Sequence, residues 1–84
     1  MGNELTIEMC QEKFDEAIEV VRENVDVVRQ AFLFSECLKF LKKAADVLKR
    51  LRKNFNTDMA LAYCVSLDVM IKDVLERGKE KVSA

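Results

Sequence analysis

The sequence predicts an all-α domain: an up-down-up three-helix bundle with helices over roughly residues 4–30, 34–54 and 58–81. Three observations carry that prediction. Apolar residues recur three and four apart along nearly the whole chain, the period of a helical face and not of a strand. Turn formers are scarce, with no proline and glycine only at positions 2 and 78, so the chain has few places to break. The apolar phase slips once, near residue 34, where a straight helix has no reason to change its seam.

The first helix carries the stripe Ile7, Cys10, Phe14, Ala17, Val21, polar Asn24, Val28 and Ala31. Continued in phase, the stripe reaches Ser35, Leu38 and Lys42, and there it fails. A second stripe, one residue out of register, takes over at Phe34, Cys37, Leu41, Ala44, Leu48, Leu51 and Phe55. A chain reversal resets the phase without cost, so a turn is expected near Phe34. Ser35 is the expected N-cap, with the apolar entry segment "QAFLF" stapled onto the new helix. The second turn is "NFNTD" (54–58), rich in residues whose side chains bond nearby amides. The third helix follows with Leu61, Cys64, Leu67, Ile71, Leu75 and Val82 on one face, and Gly78 near its end.

A spacing of 27 residues links the three stripes. It relates Cys10 to Cys37 and Cys64, Ala17 to Ala44 and Ile71, Val21 to Leu48 and Leu75, and Val28 to Phe55 and Val82. An offset of 27 is about 7.5 helical turns, so one unbroken helix would set these residues on opposite faces. Three helices of similar length, each turning its stripe to a shared core, bring them together. Chance similarity among amphipathic helices accounts for the repeat more simply than duplication does.

The 84 residues are expected to form a single domain, 1–84. With 50% apolar and 35% charged residues the chain is neither a disordered tail nor a membrane protein. No apolar run approaches the roughly 18–20 residues of a bilayer span. The opening "MGNELT" fits the N-myristoylation pattern at Gly2 and Thr6. That pattern is permissive, one acyl chain anchors only marginally, and membrane association is expected to be indirect at most. The three cysteines, widely spaced and flanked by apolar neighbours, are expected to be small buried hydrophobes in a reducing, cytoplasmic setting.

Charge is segregated. Residues 1–30 hold eight acids and three bases, residues 31–54 two acids and seven bases, and the remainder five acids and four bases. Antiparallel neighbours of opposite sign attract, which selects register and partner more than it supplies stability. "KRLRK" (49–53) ends the second helix, where cations suit the negative end of its dipole. Overall charge is slightly negative and no exposed aromatics are interleaved with the bases, so nucleic-acid binding is not expected.

Little in the chain suits catalysis. Without histidine, a Cys–His or Ser–His pair is excluded, and no glycine-rich phosphate loop exists. No zinc site and no cofactor are expected. The acids of the first helix, among them Glu8, Glu12, Asp15, Glu16, Glu19, Glu23 and Asp26, give a remote alternative. "EKFDEAIE" with "DVLE" (73–76) resembles the magnesium-binding pattern of all-α nucleotide pyrophosphohydrolases, although such sites also need bases aimed at phosphate. A solvated outer face is the reading adopted, and the chain is expected not to be an enzyme.

The stretch "ECLKFLKKA" (36–44) resembles the entry to the second helix of MIT domains, the three-helix microtubule interacting and trafficking modules, with Cys37, Leu38, Leu41 and Ala44 at the family's signature positions. "EAIEVV" (16–21) and "VLERGKEK" (74–81) are similar to the family's first-helix and third-helix segments, so the resemblance covers most of residues 16–81. The chain departs from the pattern by one inserted residue, and "VVRQAFLF" replaces the usual polar turn. What the resemblance implies is a binding module that takes a short helix or strand into a groove beside the third helix. MIT domains bind ESCRT-III tails there, and related tandem domains in autophagy-initiating kinases bind a regulatory subunit. Leu75 matches the groove leucine, and Lys79 stands where the family has a glutamate, which implies a different and more acidic ligand.

The residues themselves point the same way. Three short helices leave grooves that a fourth amphipathic helix can complete. The expected partner-binding residues, on the side of the second and third helices, are Lys42, Lys49, Val69, Met70, Lys72, Leu75 and Lys79. Val69 and Met70 lie beside the expected core stripe, and a flexible methionine suits a groove edge. The expected function is that of a non-catalytic adaptor binding a peptide or amphipathic helix of another protein. The alternative is a self-associating bundle, a homodimer with a structural role.

Overall fold

The described residues form four α-helices: α1 (Ile7–Glu23), α2 (Val25–Gln30), α3 (Phe34–Lys53) and α4 (Thr57–Ser83). The computed structural model describes the backbone of residues 4–83 and side chains from position 4 through Lys79; Gly2 and the side chain of Val82 lie outside them. Among the described residues there is no strand, so the molecule is all-α as the apolar spacing predicts.

The first expected helix, 4–30, is divided. It begins at Ile7, where the Thr6 hydroxyl accepts a hydrogen bond from the Met9 amide at 3.2 Å and caps the orphan donors of the first turn. It breaks at Asn24, whose torsions (φ −114°, ψ 26°) leave the helical region. The Asn24 side-chain amide donates to the Val20 carbonyl at 2.8 Å. Such short polar side chains offer the backbone an alternative to its own ladder, which accounts for a bend where the stripe turns polar.

The reversal falls at Ala31–Leu33. The Leu33 amide donates to the Val28 carbonyl at 2.9 Å and the Phe32 amide to the Arg29 carbonyl at 3.0 Å. This is the Schellman pattern that closes a helix on a left-handed residue. That residue is Phe32, at φ 59° and 89% exposed. Leu33 packs into the same cluster as Val28, the apolar contact that accompanies the motif. Across the turn the Arg29 guanidinium lies 5.1 Å from the centre of the Phe34 ring, a cation–π contact tying α2 to α3. The expected Ser35 cap is not used. α3 starts at Phe34, Leu33 occupies the cap position with no side-chain bond, and Ser35 lies inside the first turn. The carbonyl-closing bonds of α2 make the turn, so no N-cap hydroxyl is required.

Glycine fits a left-handed position without the clash a Cβ meets, and an exposed ring gives little in return. Phe32→Gly is therefore expected to raise unfolding free energy by about 1 kcal/mol, read as a higher midpoint in a thermal melt. An unchanged or lower midpoint would show that the ring is held by contacts of its own.

The second turn follows "NFNTD" closely. Asn56 caps α4, its side-chain oxygen accepting from the Met59 amide at 3.0 Å. α4 is 27 residues long, about 40 Å at 1.5 Å per residue, and it sets the long axis of a body measuring 43 × 28 × 17 Å. A single rod over residues 4–54 would reach about 75 Å, so the chain folds back.

α1 is the hub: it packs along both α3 and α4, whereas α3 and α4 meet over a shorter stretch. One core cluster joins Cys10 and Ala17 to Ala44, Leu48 and Leu51 of α3 and to Ala60, Tyr63, Leu67 and Ile71 of α4. A second, near the reversal, holds Val21, Val28, Cys37 and Val74. The 27-residue relation holds for buried Ala17, Ala44 and Ile71 and for Cys10, Cys37 and half-buried Cys64, and fails at Phe55 and Leu75, which are exposed. The buried stripe of α4 is Ala60, Tyr63, Leu67, Ile71 and Val74, while Leu61 and Leu75, expected in the core, are 57% and 44% exposed. The core face is rotated by about one residue, because α4 carries apolar side chains on two faces.

Candidate functional site

An apolar groove runs between α3 and α4, with a volume of about 270 Å³. Phe40, Ala44 and Val47 line it from α3; Met59, Ala62, Tyr63 and Leu67 line it from α4. Small residues cause it. Ala44, Ala62 and Ser66 stand where longer side chains would fill the space between the helices. Both helices are fixed by α1 behind them, so the groove is pre-formed, and its walls are rigid elements rather than loops. Lys43 stands at the α3 edge. Arg50 follows that edge two turns on, with Asp46 between them, and all three are exposed. Lys43 is the one cation lining the groove among the described residues.

The floor holds an anomaly. The Tyr63 hydroxyl is buried and has no hydrogen-bond partner among the described residues. Burial pushes its ionisation upward, and the neighbouring thiols of Cys10 and Cys64 and the Asp15 carboxylate push the same way. Cys10 and Cys64 face each other across the α1–α4 seam with their sulfurs 3.9 Å apart, unbridged. Burial, with Cys64 adding to it, pushes the Cys10 thiol up to about 11, and burial raises Cys37 as well, with Asp73 and Glu36 adding to it. Such thiols keep their protons and are poor nucleophiles.

The expected site residues are scattered. None of Lys42, Lys49, Val69, Met70, Lys72, Leu75 or Lys79 lines the α3–α4 groove. Lys42 and Lys49 are exposed on α3, on the side turned away from it. Met70 is half-buried between the two core clusters. Leu75 and Lys79 are exposed along the flank of α4 that meets α1, near Asp68, which pairs with Lys13 at 2.7 Å, and Lys72 is exposed at the border of the outer face. Val69 is 63% exposed on the outer face of α4. Sequence reasoning missed the groove-lining residues Phe40, Val47, Met59 and Ala62. The signal that would have found them is the run of small residues at Ala44, Ala62 and Ser66, which marks where two helices fail to close.

The acids of α1 lie on its solvent side. Gln11 bonds Asp15 at 3.0 Å, Lys13 pairs with Glu16 at 3.3 Å and Arg22 with Glu19 at 3.5 Å. Among the described residues no three acidic or cysteine side chains gather closely enough to hold a metal ion. The basic end of α3 meets α1 where Arg52 donates to the Gln11 side chain. No helix is long and apolar enough to cross a membrane among the described residues.

No family model matches the chain, and no curated protein or solved structure matches it either.

Proposed function

We propose that the chain is a non-catalytic adaptor domain that takes an amphipathic helix of a partner protein into the groove between α3 and α4. The observation carrying this reading is that groove, apolar on its floor, walled by two helices and with Lys43 on one lip. A helix of comparable length lays an apolar face into such a channel with anchors three and four residues apart. Burying those anchors supplies affinity, and the lip selects a ligand with acidic flanking residues. In this reading α1 and α2 act as one bent rod, so that the working unit is an up-down-up bundle of three rods over residues 1–84, in the cytoplasm. The resemblance of residues 16–81 to MIT domains supports a binding role of this kind. It makes ESCRT-III tails and autophagy-kinase regulators the first peptides to test.

Titration of labelled ESCRT-III tail helices and of an acidic amphipathic helix, followed by fluorescence anisotropy, tests the proposal. Ala62→Glu sets a carboxylate on the groove wall at an exposed helical position and is expected to weaken binding at least about tenfold, with far-UV helicity unchanged. Leu75→Asp, outside the groove, is expected to bind as the unaltered chain does. Absence of binding by every peptide, or loss with Leu75→Asp and not with Ala62→Glu, overturns the assignment.

A further inference from the structure

The solvent face of α4 is unlike those of its neighbours. α1 turns Glu8, Glu12, Glu16, Glu19 and Glu23 outward and α3 turns Lys39, Lys42, Lys49 and Lys53 outward. α4 instead presents Leu61, Val65 and Val69, which are 57%, 52% and 63% exposed, while its other face fills the core. A helix apolar on both faces is normally covered on both.

The stripe has an internal symmetry. Leu61 and Val69 lie four residues either side of Val65; Asp58 and Lys72 lie seven either side, exposed and without an ion pair among the described residues. When two copies of one helix pair antiparallel about a two-fold axis, residues equidistant from the axis face each other. With the axis at Val65, Leu61 meets the other copy's Val69 and Asp58 meets the other copy's Lys72, twice per dimer. Asp68, which pairs with Lys13, and Asp73, which pairs with Arg77, lie off this face, and Glu76 lies one turn beyond Lys72. A parallel pairing would set Asp58 against Asp58 and Lys72 against Lys72.

We infer that the outer face of α4 is a dimer interface, and that its occupant is a second copy of this chain, antiparallel about Val65. The inference is independent of the groove, which lies on the flank facing α3. A dimer formed this way leaves both grooves open and carries them as a linked pair, which raises avidity for a partner with two helices.

Sedimentation equilibrium of the full chain tests the pairing. The unaltered protein is expected to move from its 9.7 kDa monomer mass toward twice that between about 10 µM and 1 mM, the range of a small interface. Asp58→Lys and Lys72→Asp each set two like-charge contacts into the dimer and are expected to weaken it at least about tenfold. An equimolar mixture of the two variants restores opposite charges at both contacts and is expected to recover the dimer, a gain that misfolding cannot produce. A monomer throughout the range, single variants that associate as the unaltered chain does, or a mixture that stays monomeric would each overturn the inference.

Discussion

Leu67→Ala is expected to lower the unfolding free energy by about 3–5 kcal/mol, the cost of lost burial plus the cavity left behind. Leu67 is fully buried, within the core cluster that joins α1, α3 and α4. A chain of 84 residues has a total of about 4–13 kcal/mol to lose, so the substitution is expected to remove a large share of the stability. Leu75→Ala removes the same atoms from a side chain already 44% exposed and is expected to cost at most about 1 kcal/mol. Urea titrations followed by far-UV circular dichroism give both values. Similar losses from the two variants would place Leu75 in the core and return α4 to the face its leucines suggest.

Tyr63→Phe is expected to act in the opposite direction. The hydroxyl of Tyr63 is buried without a partner, and leaving such a group desolvated costs about 1–3 kcal/mol. Phenylalanine keeps the ring and its packing and removes that cost. The expected gain of about 1–2 kcal/mol corresponds to a rise in Tm of about 4–8 °C for each kcal/mol in a domain of this size. A fall in Tm would show that the hydroxyl finds a hydrogen bond in solution.

An alkaline signature accompanies the substitution. The phenol ionises above its ordinary 10.0 in the folded chain because burial disfavours the charged form. The stabilising contribution is complete below pH 10 and is lost as pH rises toward the folded value, since the unfolded chain releases its proton first. Tyr63→Phe removes this loss. The separate decline between pH 9 and 11 remains, because Cys10 is shifted from 9.0 to about 11.

How much was legible varied along the chain. Helix α3 was placed almost to the residue, because one apolar stripe faces one charged face and the phase is unambiguous. The reversal was legible from the slipped seam, but its mechanism was not. Nothing in the identity of Phe32 announces a left-handed residue, since glycine normally marks that position. The break at Asn24 was visible only as a polar gap in the stripe. α4 misled because Leu61 and Leu75 outweigh Ala60 and Val74 on any hydrophobic scale, although the smaller side chains are the buried ones. The groove was illegible from stripes alone. It arises where side chains are short, and periodicity records which face is apolar without recording how far the side chains reach. Its lining cation, Lys43, belongs to the basic segment 31–54 and stands next to the Lys42 expected.

The hub position of α1 has a consequence for how the chain comes into being. Cys10 and Ala17, buried early in the sequence, are covered in part by Ala60, Leu67 and Ile71, more than forty residues downstream. During synthesis α1 and α3 emerge before the surface that closes their apolar side, so cooperative folding of this bundle is expected only once α4 has been made.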